Sequence, residues 1–199
     1  VEDMFRVVIN RGTANKINKK FITSGEEVIV KKGDSLFDYS AARNYIASLS
    51  SNDICAMPDC DEIYTKLDID KINSVITSGT EQLEYNFVFS HDEQGNPMIQ
   101  FMHCKFYDRR KLTWAGIIHE ILTGSANKTY LPEDIIKLEH YQNVETNRNG
   151  YLTGLALDCY TNPDNDRNAH YFARELMYKG RFRSAIKQFE IHIAMNKWV

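Results

Sequence analysis

Asp59 and Asp61, separated by Cys60 and followed by Glu62, are the residues of this sequence best suited to chemistry. They come after the apolar run Asp53–Met57 and Pro58, so they stand at the C-terminal end of an expected strand, where two carboxylates can turn toward one hard cation in a cleft. Oxygen ligands of this kind suit magnesium or manganese, and such an ion neutralises a diphosphate. A solvated acidic turn has the same composition, so the pair alone leaves both readings open. Arg43 has two readings as well: charge-assisted hydrogen bonds to phosphate oxygens, or a structural ion pair with one of these acids.

The elements that must hold these residues follow from patterning. Phe5 to Asn10 reads as a buried strand closed by Arg11-Gly12, followed by the polar segment Thr13–Lys20 and a second short strand at Val28–Val30. Ser40 is expected to cap a helix over Ala41–Ser48, and Asp53–Met57 is the third strand. Ile69, Ile72, Val75 and Ile76 recur at helical spacing within Asp68–Ser78. Glu84–Ser90 and Met98–Tyr107 are aromatic and β-branched around the turn formers Asp92–Pro97, which predicts a hairpin or two neighbouring antiparallel strands. Leu131–His140 reads as a strand leading to a polar loop. From about Arg148 the period is helical, over Tyr151–Tyr160, Ala169–Lys179 and Phe182–Met195, with the loop Thr161–Asp166 ending one helix and capping the next. The expectation is an α/β domain with a mixed sheet over 1–147, followed by a helical segment over 148–199.

Composition narrows the function classes. The 199 residues are 43% hydrophobic and 26% charged, which is the range of a folded globular protein rather than a disordered one. Lys and Arg total 24 against 27 Asp and Glu, a net charge of -3, so no basic face announces a nucleic-acid partner. No stretch reaches the roughly 20 apolar residues of a membrane span, and the N-terminus lacks a signal-peptide core. Cys55, Cys60, Cys104 and Cys159 form no Cys-x-x-Cys pair and no zinc spacing, and read as reduced, buried thiols of a cytoplasmic protein.

Three groups of residues, taken in order, carry a resemblance. The run from Phe37 to Ala42-Arg43-Asn44, with Asp59-Cys60-Asp61-Glu62 following, resembles the Ala-Arg-Asn run and Asp-x-Asp-Glu motif of family 2 type glycosyltransferases. Trp114-Ala115-Gly116-Ile117-Ile118-His119-Glu120 is similar to the W-x-G-x-x-H-E motif of family 2 enzymes with a tetratricopeptide-like tail. His140, Arg148-Asn149, Pro163-Asp164 and the segment Ala173–Phe189, with Ala173, Leu176, Gly180, Phe182, Ala185 and Phe189 at helix-pair positions, continue it. The chain therefore resembles a GT-A type, family 2-like glycosyltransferase from about Phe5 to Trp198. It departs at the N-terminus: Val8–Lys16 is similar to the family's second conserved stretch, with Asn10 where an Asp is common, and the family's first strand is expected to be missing.

What the resemblance implies is a Rossmann-like GT-A fold and a metal-dependent, inverting transfer of a sugar from a nucleotide-diphospho-sugar, with a uridine donor favoured, to an acceptor hydroxyl. Asp59 is then a ligand of the donor ribose or the metal, Asp61 a ligand of Mn2+ or Mg2+, and His140 the histidine completing the metal or diphosphate site. Arg43 and His119 belong to the donor site, and Glu120 is the general base that takes the acceptor proton. His119 alone is also an ordinary hydrogen-bonded histidine, and Glu120 alone a surface glutamate at a helix start. Trp114 either stacks on a sugar or fills the core. Two rivals come from other classes: a non-catalytic protein-binding module derived from such an enzyme, and a phosphoesterase, which needs a denser set of metal ligands than this sequence offers.

Overall fold

The computed structural model describes residues 2–124, 127–142 and 150–197. After a 3-10 turn at Glu2–Phe5, the chain forms β1 (Arg6–Val8), α1 (Arg11–Phe21), β2 (Ser35–Phe37), α2 (Tyr39–Ser48), β3 (Ile54–Ala56), β4 (Glu62–Leu67) and α3 (Ile69–Val75). Next come β5 (Gln82–His91), β6 (Pro97–Asp108), β7 (Thr113–Ala115), β8 (Ile121–Thr123), β9 (Lys128–Tyr130), β10 (Ile136–His140), α4 (Tyr151–Thr161), α5 (Asp166–Tyr178) and α6 (Phe182–Met195). The class is mixed α/β, with a mixed sheet and C-terminal helices. The expected segment Arg148-Asn149 and Trp198 lie outside the described residues. No helix among the described residues is long and apolar enough to cross a membrane.

The chain divides into two compact units. The first contains Val1–Ala42, Ala115–Ile121 and Asn147–Val199, so the three C-terminal helices share it with the first elements of the chain. Here β1 and β2 pair antiparallel. The polar segment after β1 is a helix, α1. The Asn10 side chain caps it by accepting the Thr13 N–H at 2.9 Å, and Ala14, Ile17 and Phe21 form its buried stripe. Val28–Val30, expected as a strand, is not one. The Asn18 side chain takes the N–H groups of Ile29 and Val30 and donates to the Val30 carbonyl, while the Thr153 hydroxyl donates to the Ile29 carbonyl. Side chains thus satisfy the backbone that a ladder would otherwise pair. Asp38, rather than Ser40, starts α2: its carboxylate accepts the Ala41 N–H at 2.9 Å and the Ser40 hydroxyl at 3.1 Å.

Helix α4 is apolar nearly all round and buried from Thr153 to Cys159. Gly154 is what lets Ile118 lie on it, since a Cβ there would stand 2.4 Å from the Ile118 Cγ1. Of the helix-pair positions in α5 and α6, Ala173, Leu176 and Ala185 are buried, whereas Phe182, at the start of α6, is exposed.

The second unit contains Arg43–Trp114 and Leu122–Thr146. Its sheet runs β3-β6-β5-β10-β4, with β9 also on β5. The expected hairpin is β5–β6, antiparallel from Gln82↔Tyr107 to His91↔Pro97. β10 and β9 run parallel to β5, and β4 antiparallel to β10. The β4 strand begins inside the acidic cluster, at Glu62. α3 stops at Val75, short of Ser78, where the Thr80 hydroxyl accepts the Thr77 N–H at 3.0 Å. One core gathers Ile72, Leu83, Tyr85, Ile136 and Leu138; a second gathers Cys55, Cys104, Tyr107, Leu112 and Trp114. Cys60 is exposed, against the expectation that all four thiols are buried.

Candidate functional site

The two aspartates of the acidic loop after β3 have different partners. In the second unit, Asp59 is held by two cations: one carboxylate oxygen pairs with Arg43, the other accepts the Lys105 ammonium at 2.9 Å. Lys105 lies in β6 with its side chain only 6% exposed, and also pairs at 3.1 Å with Glu62, whose side chain is 4% exposed. Glu62 in turn accepts the Asp59 N–H at 2.7 Å. Burial works against the Asp59 carboxylate, but Lys105 and Arg43 outweigh it and hold its carboxyl below the usual range. Burial wins at Glu62 and lifts its carboxyl above the usual range. Two acids and two bases make this a neutral, largely internal network.

Arg43 is fixed on three sides. Besides Asp59 it donates to the Met57 carbonyl at 3.4 Å, and its guanidinium lies 4.7 Å from the Trp114 ring centroid. Trp114 is buried, its indole N–H donating to the Tyr107 hydroxyl at 2.9 Å. The Asn44 side chain clasps the Trp114 backbone at both N–H and carbonyl. Of the alternatives posed by the sequence, Arg43 makes the ion pair and Trp114 fills the core.

Asp61 turns elsewhere and meets His140, which comes from β10, 79 positions away: Oδ2 is 3.2 Å from Nε2. The His140 Nδ1 lies 3.1 Å from the Phe89 carbonyl, so Nδ1 carries a proton there. Nε2 then faces the carboxylate either as a second donor or as a lone pair, and a lone pair beside a carboxylate is an N/O pair able to take a divalent cation. Asp61 and His140 fit such an ion. Asp59 does not, because both its oxygens already hold positive charge. Among the described residues no three His, Cys, Asp or Glu side chains converge as a metal group.

His119 and Glu120 belong to the first unit. They end the segment Gly116–Glu120 between β7 and β8, not a helix start. Gly116 has φ +100° and His119 φ +56°, a left-handed conformation that a non-glycine residue adopts only when its surroundings impose it. Those surroundings are identifiable. Asp158 of α4, 2% exposed, accepts the N–H of Ile117 at 2.9 Å and of Ile118 at 3.2 Å. Arg167 of α5 donates to the His119 carbonyl at 2.6 Å, and the His119 ring stacks on Tyr171 at 4.4 Å. Glu120 is half-buried at the end of this anchored loop.

Burial pushes the Asp158 carboxyl up to about 6, against the opposing pull of the Ile118 and Ile117 N–H groups. A carboxyl whose folded value lies above its unfolded value of about 4 binds its proton more tightly when folded, so its contribution to stability falls as pH rises through roughly 4 to 6. Replacing Asp158 by Asn should remove that slope: the stability difference between the parent and Asp158→Asn, measured by urea unfolding, is expected to shift by about 2 kcal/mol against the parent between pH 4 and pH 7. An unchanged difference across that range would show that the carboxylate is not held in this environment.

Sequence reasoning missed Lys105, Asp158 and Arg167. The first two did leave a signal: each is a lone charge inside an apolar run, in Phe101–Tyr107 and Leu155–Tyr160 respectively. No protein-family model matches the chain, and no curated protein matches it either.

Proposed function

We propose that the protein is a metal-dependent glycosyltransferase of the GT-A, family 2-like kind, moving a sugar from a nucleotide-diphospho-sugar, uridine favoured, to an acceptor hydroxyl with inversion. The observation that carries this reading is the pairing of Asp61 with His140 across 79 positions, the two residues to which the sequence resemblance assigns the metal and diphosphate. Asp61 and His140 would hold Mn2+ or Mg2+, and the ion supplies Lewis-acid stabilisation of the departing diphosphate. Asp59 serves to orient Arg43, whose charge lies beside the same loop. Glu120 is assigned to deprotonate the acceptor on the resemblance alone.

One observation favours a second reading, a non-catalytic binding module: the cation ligands number two rather than three, since Lys105 and Arg43 occupy Asp59. Calorimetric titration of uridine and guanosine diphospho-sugars, with and without manganese, separates the two. The transferase reading expects manganese-dependent binding of one donor, weakened at least roughly tenfold in Asp61→Asn. Absence of binding by every donor would leave the module.

A further inference from the structure

Helix α5 carries Arg167, Tyr171 and Arg174 on one face, spaced four and three residues apart. Both guanidiniums lie against the same ring, Arg167 at 4.6 Å and Arg174 at 4.4 Å from the Tyr171 centroid, and Arg174 also lies 6.0 Å from Tyr178. Stacking of this kind fixes the plane of a guanidinium without using its N–H donors. Those donors are largely unspent. Arg167 uses one edge on the His119 carbonyl, and among the described residues Arg174 donates to nothing. Neither has a carboxylate partner among the described residues. The charge of Arg174 also reaches His170, whose affinity for its proton is lowered by burial first and then by His192 and Arg174.

We infer that Arg167 and Arg174, held on Tyr171, form an oxyanion-binding site for a phosphate group carried by a ligand of the first unit. A phosphate dianion matches two fixed cations in charge, and its oxygens match the fork of a guanidinium in geometry. The same unit contains Glu120, and Arg167 grips the backbone of the residue before it. On the transferase reading, that ligand is the acceptor, which makes it a phosphorylated one; the anion site itself stands without that reading.

Inorganic phosphate titrated into the full chain at low ionic strength, followed by NMR of the arginine Nε–H signals, tests the site. Saturable shifts of Arg167 and Arg174 are expected. Affinity should fall at least roughly tenfold in Arg174→Met and less in Arg174→Lys, which keeps the charge but loses the fork. Acetate as a comparison probe should bind more weakly. Absent saturation, equal affinity in Arg174→Met, or a preference for acetate would overturn the proposal. Donor titration reports on Asp61 separately, so loss of the transferase reading and loss of this site are different results.

Discussion

Replacing Lys105 by Met should destabilise the protein by about 3–5 kcal/mol at pH 7, the usual cost of removing one partner from a buried ion pair. The lysine side chain and its Glu62 partner are almost fully enclosed, at 6% and 4% exposure, so neither charge can turn to water when the other is lost. Met keeps the stem volume, which separates the electrostatic loss from a packing defect. Asp59 suffers less, since Arg43 still holds it and its side chain is 39% exposed. The penalty should shrink in acid. Glu62 already binds its proton more tightly than usual because of burial, and without the ammonium it binds it more tightly still. Protonation then removes the stranded charge, and the deficit of Lys105→Met against the parent narrows as pH falls. The double variant Lys105→Met/Glu62→Gln should recover much of the loss. Urea unfolding of the parent and the two variants decides the matter, and a loss below about 1 kcal/mol in Lys105→Met would mean that the network is not closed to solvent.

That network explains why the candidate site was only half legible. Asp-x-Asp after a strand invited a single cation held by both carboxylates, yet the identity of each carboxylate's neighbours is a tertiary fact. Lys105 reaches Asp59 from 46 positions away and His140 reaches Asp61 from 79. The hairpin β5–β6 was readable because its pattern and its turn chemistry agree. The pattern of Val28–Val30 points to a strand because β-branched residues report burial as much as pairing, and here burial comes with side-chain hydrogen bonds to Asn18. α1 escaped because polar residues outnumber apolar ones in it, although Ala14, Ile17 and Phe21 fall on one helical stripe. β4 has no signal of its own at its start, because its first residue, Glu62, belongs to the acidic cluster Asp59–Glu62. The C-terminal helices were read nearly to their ends, since local spacing and capping residues define them without distant partners.

Glu120→Gln should, on the transferase reading, lower turnover by roughly 10²–10⁴-fold while leaving donor affinity unchanged, the range lost when a positioned general base is removed. The loop gives the expectation its physical content. A base works only if its carboxylate is held where the acceptor proton appears, and each of the three residues before Glu120 is held in place. Asp158 fixes Ile117 and Ile118, Arg167 fixes the His119 carbonyl, and Tyr171 supports the His119 ring. The positive φ of His119 is the cost of that geometry, and it is offset by these contacts rather than by solvent. Gln preserves the size and hydrogen-bonding reach of the side chain, so folding and donor binding should survive, and the loss should fall on kcat alone. Parent-like turnover in Glu120→Gln would remove the base from Glu120. A loss of donor affinity with kcat unchanged would instead make this loop part of the donor site.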